Sequence, residues 1–179
     1  MPDRRTELAD AALAVVAAKG LKGLTHRAVD AEAGVAIGTT SNYFRNRAAL
    51  VAAAVDRVEQ RDSLLLQHQA DARVPTSVAE LSEQLAGALL ALADDHEGLT
   101  RARFAFALDQ PDVVAPGHER MLSALEQLLR AMGISDARAR AEAVSDYGDG
   151  LALHLLTARR GQQAKRTAVA ASIQRLLEG

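Results

Sequence analysis

Apolar residues recur at the spacing of an α-helix along almost the whole chain, and this periodicity limits the fold to a helical one. In the first segment the residues of one helical face are Leu8, Ala11, Ala12, Val15 and Val16. Aromatic residues make up only 3% of the 179 residues, so Ala, Leu and Val must fill the core. Because Ala and Leu are strong helix formers and no alternating strand pattern occurs, we predict an all-α protein.

Glycine and proline residues divide the chain into about nine helical segments. The expected helices cover residues 3–19, 25–33, 37–43, 47–72, 78–95, 98–110, 121–132, 135–160 and 163–177. Thr25 and Ser135 are expected N-caps, and Ser77 with Glu80 has the spacing of a capping box. Pro111 and Pro116 are expected to interrupt the helical pattern before the seventh helix.

Composition excludes several classes of protein. The longest apolar stretch, residues 85–93, is about half of the roughly 18 residues that suggest a membrane span. With no secretory signal at the N-terminus, we expect a cytoplasmic protein without a membrane partner. The absence of cysteine excludes disulfides, thiolate metal sites and a cysteine nucleophile. The net charge is −2, but the first fifty residues hold seven Lys and Arg against five Asp and Glu, so this part is the basic one.

Two short helices around a glycine turn, residues 25–33 and 37–43, form the most informative segment. Helices this short are marginal alone, and the first helix of the chain is expected to support them. In helix-turn-helix proteins the second short helix enters the major groove of DNA. The expected inner face consists of Ala28, Val29, Ala33, Val35 and Ile37. The expected outer face, which can meet base edges or phosphates, consists of Thr39, Thr40, Ser41, Asn42 and Tyr43.

Basic and polar residues flank this outer face on both sides. Thr25, His26 and Arg27 precede it, and Arg45 and Arg47 follow it. Such residues are suited to contact phosphates, and Arg47 also stands at the start of the long fourth helix. For any single residue, a solvated basic surface or a polar turn is the favoured interpretation. Together the residues favour DNA binding.

The segment resembles the DNA-binding signature of the TetR family of bacterial transcriptional regulators. The matching residues are Thr25 to Val29, Ala33 to Phe44, Asn46, Arg47 and Leu50. The resemblance implies a homodimer with a three-helix DNA-binding head, residues 1–48, and a helical ligand-binding and dimerisation body, residues 49–179. It also implies a repressor that binds double-stranded operator DNA and is released by an unknown small-molecule effector.

The resemblance also assigns roles to individual residues. Thr25 and Tyr43 match phosphate-contact positions, Arg27, Thr39 and Thr40 match base or backbone contacts, and Asn42 matches a variable contact. Arg47 stands where the family usually has lysine, which keeps the cation. Ser41 stands where relatives are often aromatic, and this difference indicates another base preference.

The last two helices carry small residues at close-packing spacing and are expected to form a four-helix dimer interface. The residues are Ala139, Ala143, Gly150, Ala158, Ala168, Ala171, Ile173 and Leu176. Closing the core of a monomer would explain the same pattern equally well, and it is the family resemblance that favours the dimer. Candidate ligand-binding residues are Phe104, Leu108, Met121, Leu125, Tyr147, Leu151 and His154, with Arg103, Asp109 and Asp146 as polar anchors. Ordinary core packing is the competing interpretation of each.

Enzyme chemistry finds no support in the sequence. No Asp or Glu lies three residues before a histidine, as carboxylate-bridged iron sites require. The zinc-protease and phosphate-loop motifs are incomplete or absent, so we expect no metal, no cofactor and no enzyme activity. The favoured function is a ligand-responsive DNA-binding regulator. The alternative is an all-helical small-molecule-binding or helper protein without specific operator recognition.

Overall fold

The computed structural model describes the backbone of residues 3–70, 74–94 and 97–179, and their side chains except at 65–70, 93 and 94. Every regular element in this part of the chain is helical, which confirms the all-α prediction. The nine α-helices are α1 Arg4–Lys19, α2 His26–Glu32, α3 Thr39–Tyr43, α4 Arg47–Ala70, α5 Val78–Asp94, α6 Glu97–Asp109, α7 Pro111–Ala131, α8 Ala137–Leu156 and α9 Arg166–Glu178. None of these described helices has the length and apolar character needed to cross a bilayer.

Short polar residues begin several helices, and the predicted caps at Thr25 and Ser77 are confirmed. Thr25 Oγ1 accepts a hydrogen bond from the Ala28 amide at 3.1 Å. Ser77 Oγ accepts one from the Glu80 amide at 3.2 Å. The Glu80 carboxylate accepts from the amide and hydroxyl of Thr76, one residue before the position that a capping box uses. These bonds satisfy amides that a helix leaves without internal partners.

The predicted starts of α7 and α8 are wrong. Helix α7 begins at Pro111 and contains Pro116, so the prolines do not precede the helix but form part of it. Pro111 is tolerated because the amide of a first helical residue has no partner within the helix. The N-cap of α8 is Asp136, in the left-handed conformation with φ 52°, and not Ser135.

The contacts divide the chain into two compact units. The first unit comprises Met1–Ser63 and Gly98–Ala115, and it contains α1 to α3, most of α4, and α6. Its core includes Leu8, Val15, Val16, Leu24, Val29, Phe44, Leu50, Val55 and Phe106. The predicted DNA-binding head, residues 1–48, is defined by which residues contact DNA and not by the packing of the two units. Its boundary at residue 48 stays a prediction.

The predicted inner face of the two short helices is confirmed except at one residue. Val29 is fully buried, and Ala28, Ala33 and Val35 pack against the same core. Ile37 is instead 80% exposed, so its assignment to the inner face is wrong. The reason is local: α3 begins at Thr39, and Ile37 lies in the turn before it.

Ion pairs tie α4 to two other helices of the first unit. The Arg57 guanidinium donates from Nε and Nη2 to the two oxygens of Asp10 in α1, at 2.7 and 3.0 Å. Arg61 Nε donates to the same carboxylate at 3.0 Å. Further along α4, Asp62 pairs with Arg103 of α6. The bidentate Arg57–Asp10 pair restricts both side chains and so orients α4 against α1, and the Asp62–Arg103 pair joins α4 to α6.

The second unit comprises Leu64–Glu97 and Pro116–Gly179. Its core is built from α5, α7, α8 and α9 and includes Leu81, Leu122, Leu129, Val144, Leu151, Ile173 and Leu177. Gly148 allows α8 to approach α5 closely, since a Cβ at this position would lie 2.7 Å from Leu89 Cδ2.

Candidate nucleic-acid interface

A buried carboxylate fixes α3 against α2. Asp30, near the end of α2, is 2% exposed. Its Oδ2 accepts a hydrogen bond from the Gly38 amide at 2.7 Å, and its Oδ1 accepts from the Thr40 amide at 2.7 Å. The Thr40 hydroxyl donates to Oδ1 at 2.5 Å. A five-residue helix is not stable alone, so this carboxylate at its N-terminus, which also meets the positive end of the helix dipole, holds it in place.

The ionisation of Asp30 follows from these hydrogen bonds. Burial by itself raises the pKa of this carboxyl, because it disfavours the charged form. The bonds from the Thr40 hydroxyl, the Thr40 amide and the Gly38 amide, with a smaller effect of the nearby His26 charge, outweigh burial and lower the pKa from its ordinary value of 3.8. Asp30 is therefore a carboxylate at neutral pH.

Thr40 requires a correction. The sequence placed it on the outer face as a DNA contact, but its side chain is fully buried and its hydroxyl bonds to Asp30. A base contact by this side chain is therefore wrong, and Thr40 belongs to the interior of the motif. The hydroxyl faces α2 and donates to the Asp30 carboxylate there, a pairing that the sequence pattern did not indicate.

The other residues of the predicted outer face are accessible. Ser41, Asn42 and Tyr43 are exposed, and Thr39 is half-buried. The hydroxyls of Thr39 and Ser41 donate to the carbonyls of Ala36 and Gly38 at 2.6 and 2.8 Å, so their oxygens remain available as acceptors. The structure thus brings Thr39, Ser41, Asn42 and Tyr43 together on α3.

The predicted phosphate contacts lie at both ends of this motif. Thr25, Arg27 and Arg47 are exposed. Arg47 Nη2 also donates to the Leu21 carbonyl at 2.8 Å, which anchors one edge of the guanidinium. His26 Nε2 lies 2.6 Å from the Phe44 carbonyl and must donate to it, because a carbonyl can only accept. His26 therefore joins the start of α2 to the end of α3, and only its Nδ1 is left to meet DNA.

Burial also changes the charge of this surface. Between residues 25 and 47 the sequence holds three arginines, Asp30 and Glu32. Asp30 is buried, whereas Arg27, Arg45, Arg47 and Glu32 are exposed. The exposed charges are therefore more positive than the sequence count indicates, which favours phosphate binding.

Arg5 is a neighbour of this site that the sequence analysis missed. Its guanidinium carbon lies 4.8 Å from the centre of the Phe44 ring, and its Nη1 donates to the Tyr43 carbonyl at 3.4 Å. It stands in the first turn of α1, and no sequence signal links it to α3. It adds a further exposed arginine beside the end of α3.

The candidate ligand residues occupy two different units. Phe104 and Leu108 belong to the first unit, and the other five candidates to the second. Leu108 is 83% exposed and Met121 is 44% exposed. Leu151 is buried in the core of the second unit, where Leu125 and Tyr147 pack against it, and His154 is exposed. Of the polar anchors, Arg103 pairs with Asp62, while Asp109 and Asp146 are exposed. A ligand site formed by these residues stays a prediction.

The candidate dimer surface, on α8, on α9 and at Ala158 in the turn after α8, is mostly accessible. Ala139, Ala158, Ala168 and Ala171 are exposed, and Ala143, Gly150 and Leu176 are half-buried. Ile173 is fully buried in the core of its own unit, so its assignment to the dimer surface is wrong. The Ile173 side chain packs among the other core residues of the second unit.

Comparison with known proteins identifies relatives over the head and over the whole chain. The model of the family described as bacterial regulatory proteins, tetR family, matches residues 8–54, from α1 into α4. The HTH-type transcriptional regulator PksA of Bacillus subtilis is 26% identical over 168 residues, which cover 86% of this chain and 78% of that protein.

Solved structures share the fold along nearly their full length. A TetR-family member from Streptomyces coelicolor superposes with a TM-score of 0.80 at 25% identity, over 98% of this chain and 99% of the other. The multidrug binding protein EbrR, complexed with malachite green, gives a TM-score of 0.77 at 27% identity, over 98% of this chain and 99% of the other. EbrR has also been solved with ethidium and with imidazole.

Proposed function

We propose that this chain is a cytoplasmic repressor that binds operator DNA as a homodimer and is released by a small molecule. The chain belongs to the TetR family of bacterial transcriptional regulators. The observation that carries the DNA-binding part is the arrangement of α3. Its accessible side chains, exposed Ser41 and Asn42 and half-buried Thr39, stand on a helix that buried Asp30 holds by its N-terminus.

The arrangement suits a recognition helix in the major groove. The exposed hydroxyls and the Asn42 amide are groups that hydrogen-bond base edges or phosphates. Thr25 and Arg27 at the start of α2 then face the phosphate backbone, which the first helix of such a motif crosses. Tyr43, Arg45 and Arg47 lie at the other end and reach phosphates there. In this proposal Arg47 gives affinity, and α3 gives sequence preference.

Removing the Arg47 cation tests the phosphate contacts. Arg47→Ala should flatten the plot of log affinity against log salt by about one for each bound protomer, because one fewer counterion is released. The loss should be similar for all DNA sequences. Fluorescence anisotropy over a series of salt concentrations measures it. Arg130→Ala, which removes an exposed cation from α7 of the second unit, is the control and should leave the slope unchanged. Equal slopes for Arg47→Ala and wild type would contradict the contact.

Homodimer formation is proposed because two recognition helices must lie about 34–36 Å apart to enter successive major grooves. The exposed alanines of α8 and α9 support a close helix–helix interface. Size-exclusion chromatography with light scattering should therefore give about twice the 19.0 kDa mass of the chain. Ala171→Glu, on the exposed face of α9, should shift the protein toward monomer, because it places a charge in an apolar interface. A wild-type monomer at micromolar concentration would remove this part of the proposal.

Effector release is proposed on the similarity to EbrR, whose structures hold small organic molecules. Within the first unit, Phe104 follows Arg103, which pairs with Asp62 of α4. Helix α4 pairs in turn with Asp10 of α1, which supports the two short helices. A ligand that shifts α6 can therefore act on α4 and change operator affinity, and by linkage DNA then changes ligand affinity equally.

A further inference from the structure

Ile37 is an exposed aliphatic side chain beside the candidate DNA-binding residues. It is 80% exposed, whereas the neighbouring apolar residues Val29 and Val35 pack into or against the core of the first unit. Single exposed apolar residues are common on protein surfaces, so exposure alone indicates no function. The position of Ile37 is what distinguishes it, since only Gly38 separates it from the helix that carries Thr39, Ser41 and Asn42.

The backbone holds Ile37 at the tip of a rigid turn. The Thr39 amide donates to the Ala36 carbonyl at 3.0 Å, which closes a four-residue turn. Gly38, with φ 93° and ψ −8°, has the conformation of the third residue of a type II turn, and Ile37 is the second. The Gly38 amide is also bonded to Asp30, and the Thr39 hydroxyl to Ala36. Binding through Ile37 therefore requires no ordering of the backbone.

The chemistry of the surroundings limits what Ile37 can contact on DNA. An aliphatic side chain forms no hydrogen bond, and the apolar group that base edges present in the major groove is the 5-methyl of thymine. The nearest exposed side chains of α3 are polar, and the Ser41 hydroxyl is bonded to Gly38. Ala36, also exposed, precedes Ile37 and extends the apolar tip of the turn.

We propose that Ile37 reads the 5-methyl group of a thymine in the operator, next to the bases that α3 contacts. The inference rests on the proposed DNA-binding function and adds a specificity residue to it. Ile37 then selects thymine over cytosine at one position of each half-site. Thr39, Ser41 and Asn42 read other positions by hydrogen bonds.

Methyl deletion in the DNA tests this contact without changing base pairing. The operator is first obtained by selection from random duplexes with the wild-type protein. Each thymine is then replaced by deoxyuridine, which lacks only the 5-methyl group, and affinity is measured by anisotropy. The affinity of the wild-type protein should fall about fourfold at one thymine position in each half-site. This factor corresponds to the free energy of burying one methyl group. In Ile37→Ala, affinity is lower but the same replacement should have no effect, so that the double-mutant cycle shows coupling.

Two further variants serve as controls. Ile37→Val keeps a branched aliphatic side chain and should retain sensitivity to the same deoxyuridine. Val74→Ala truncates an equally exposed aliphatic residue, 76% exposed, in the second unit and should behave as wild type. The thermal midpoint of Ile37→Ala should match wild type, because an exposed side chain contributes little to stability.

The outcomes separate this inference from the proposed function. If no sequence is selected from the random duplexes, the proposed operator binding fails and the inference fails with it. If an operator is selected but no deoxyuridine effect depends on residue 37, the inference alone is overturned. A uniform loss for Ile37→Ala over all duplexes also overturns it, since that result indicates a contact with the backbone.

Discussion

Asp30→Ala is expected to lower the free energy of unfolding by roughly 3–5 kcal/mol and to abolish specific DNA binding. The carboxylate accepts three hydrogen bonds in a buried position, from the Gly38 amide, the Thr40 amide and the Thr40 hydroxyl. Alanine leaves all three donors without this acceptor, and α3 loses the group that fixes its N-terminus. Chemical denaturation followed by circular dichroism measures the change.

Asp3→Ala is the matched control for this substitution. Asp3 also accepts from a helix amide, that of Thr6 at 2.9 Å, but it is exposed and makes a simple N-cap. Its loss should cost about 1 kcal/mol. If both variants lose the same small amount, Asp30 does not hold α3 as the structure indicates.

The lowered pKa of Asp30 gives this stabilisation a defined dependence on pH. Since the folded pKa lies below the ordinary value of 3.8, the contribution is complete above that value and is lost as the pH falls toward the folded pKa. The stability difference between wild type and Asp30→Asn should therefore be constant between pH 5 and 7 and should shrink in stronger acid. A difference that grows on acidification would contradict the assigned direction.

Phe44→Ala is expected to lower the free energy of unfolding by roughly 3–5 kcal/mol, because it opens a cavity in the core of the first unit. Phe44 is fully buried and follows the last residue of α3. Its ring also lies under the guanidinium of Arg5. Urea denaturation at neutral pH measures the loss.

Substitution of the adjacent residue, Tyr43, should weaken DNA binding and leave stability nearly unchanged. Tyr43 is 42% exposed and is proposed to contact a phosphate. Tyr43→Phe, which removes only the hydroxyl, should leave unfolding nearly unchanged and weaken operator binding by about tenfold, as expected for one lost hydrogen bond to a charged group. A normal operator affinity for Tyr43→Phe would remove Tyr43 from the interface, and a small stability loss for Phe44→Ala would contradict its place in the core.

Local patterns were sufficient to predict most of the fold. Helical periodicity gave the helices, and cap chemistry gave the start of α2 at Thr25 and the cap at Ser77. These features depend on neighbours within four residues, which the sequence displays directly. Pro111 was misread because a proline at the first position of a helix costs little. Pro116, the sixth residue of α7, lies inside the helix, where its residue type predicts an interruption.

The exact surface of the candidate site could not be predicted from the same patterns. Thr40 was predicted to lie on the outer face, but its burial depends on Asp30, ten residues earlier, to which its hydroxyl donates. Ile37 looked like a core residue, yet the turn places it outside. Both errors have one cause: the turn at Ile37 and Gly38 sets the direction of the Ile37 side chain and the orientation of α3, and residue type alone does not fix the backbone conformation of that turn.

The ligand and dimer surfaces were harder to predict from a single sequence than the helices were. Core packing and ligand contact use the same apolar residues at the same helical spacing, so Leu125, Tyr147 and Leu151 satisfied both interpretations. In the structure Leu151 lies in the core of the second unit, and Leu125 and Tyr147 pack against that core. Interfaces also depend on side chains of another molecule, which the periodicity of one chain does not describe.

Selection from random duplex DNA by the full-length protein tests the central claim most directly, namely that α3 of a dimer reads base sequence. We predict enrichment of one sequence with two half-sites in two-fold symmetry, their centres about 10 base pairs or a multiple of a helical turn apart. The combined variant Thr39→Ala, Ser41→Ala and Asn42→Ala, whose side chains lie outside the core, should remain folded and enrich no sequence. Failure of the folded wild-type dimer to enrich any sequence, or enrichment of the same sequence by the triple variant, would contradict the claim.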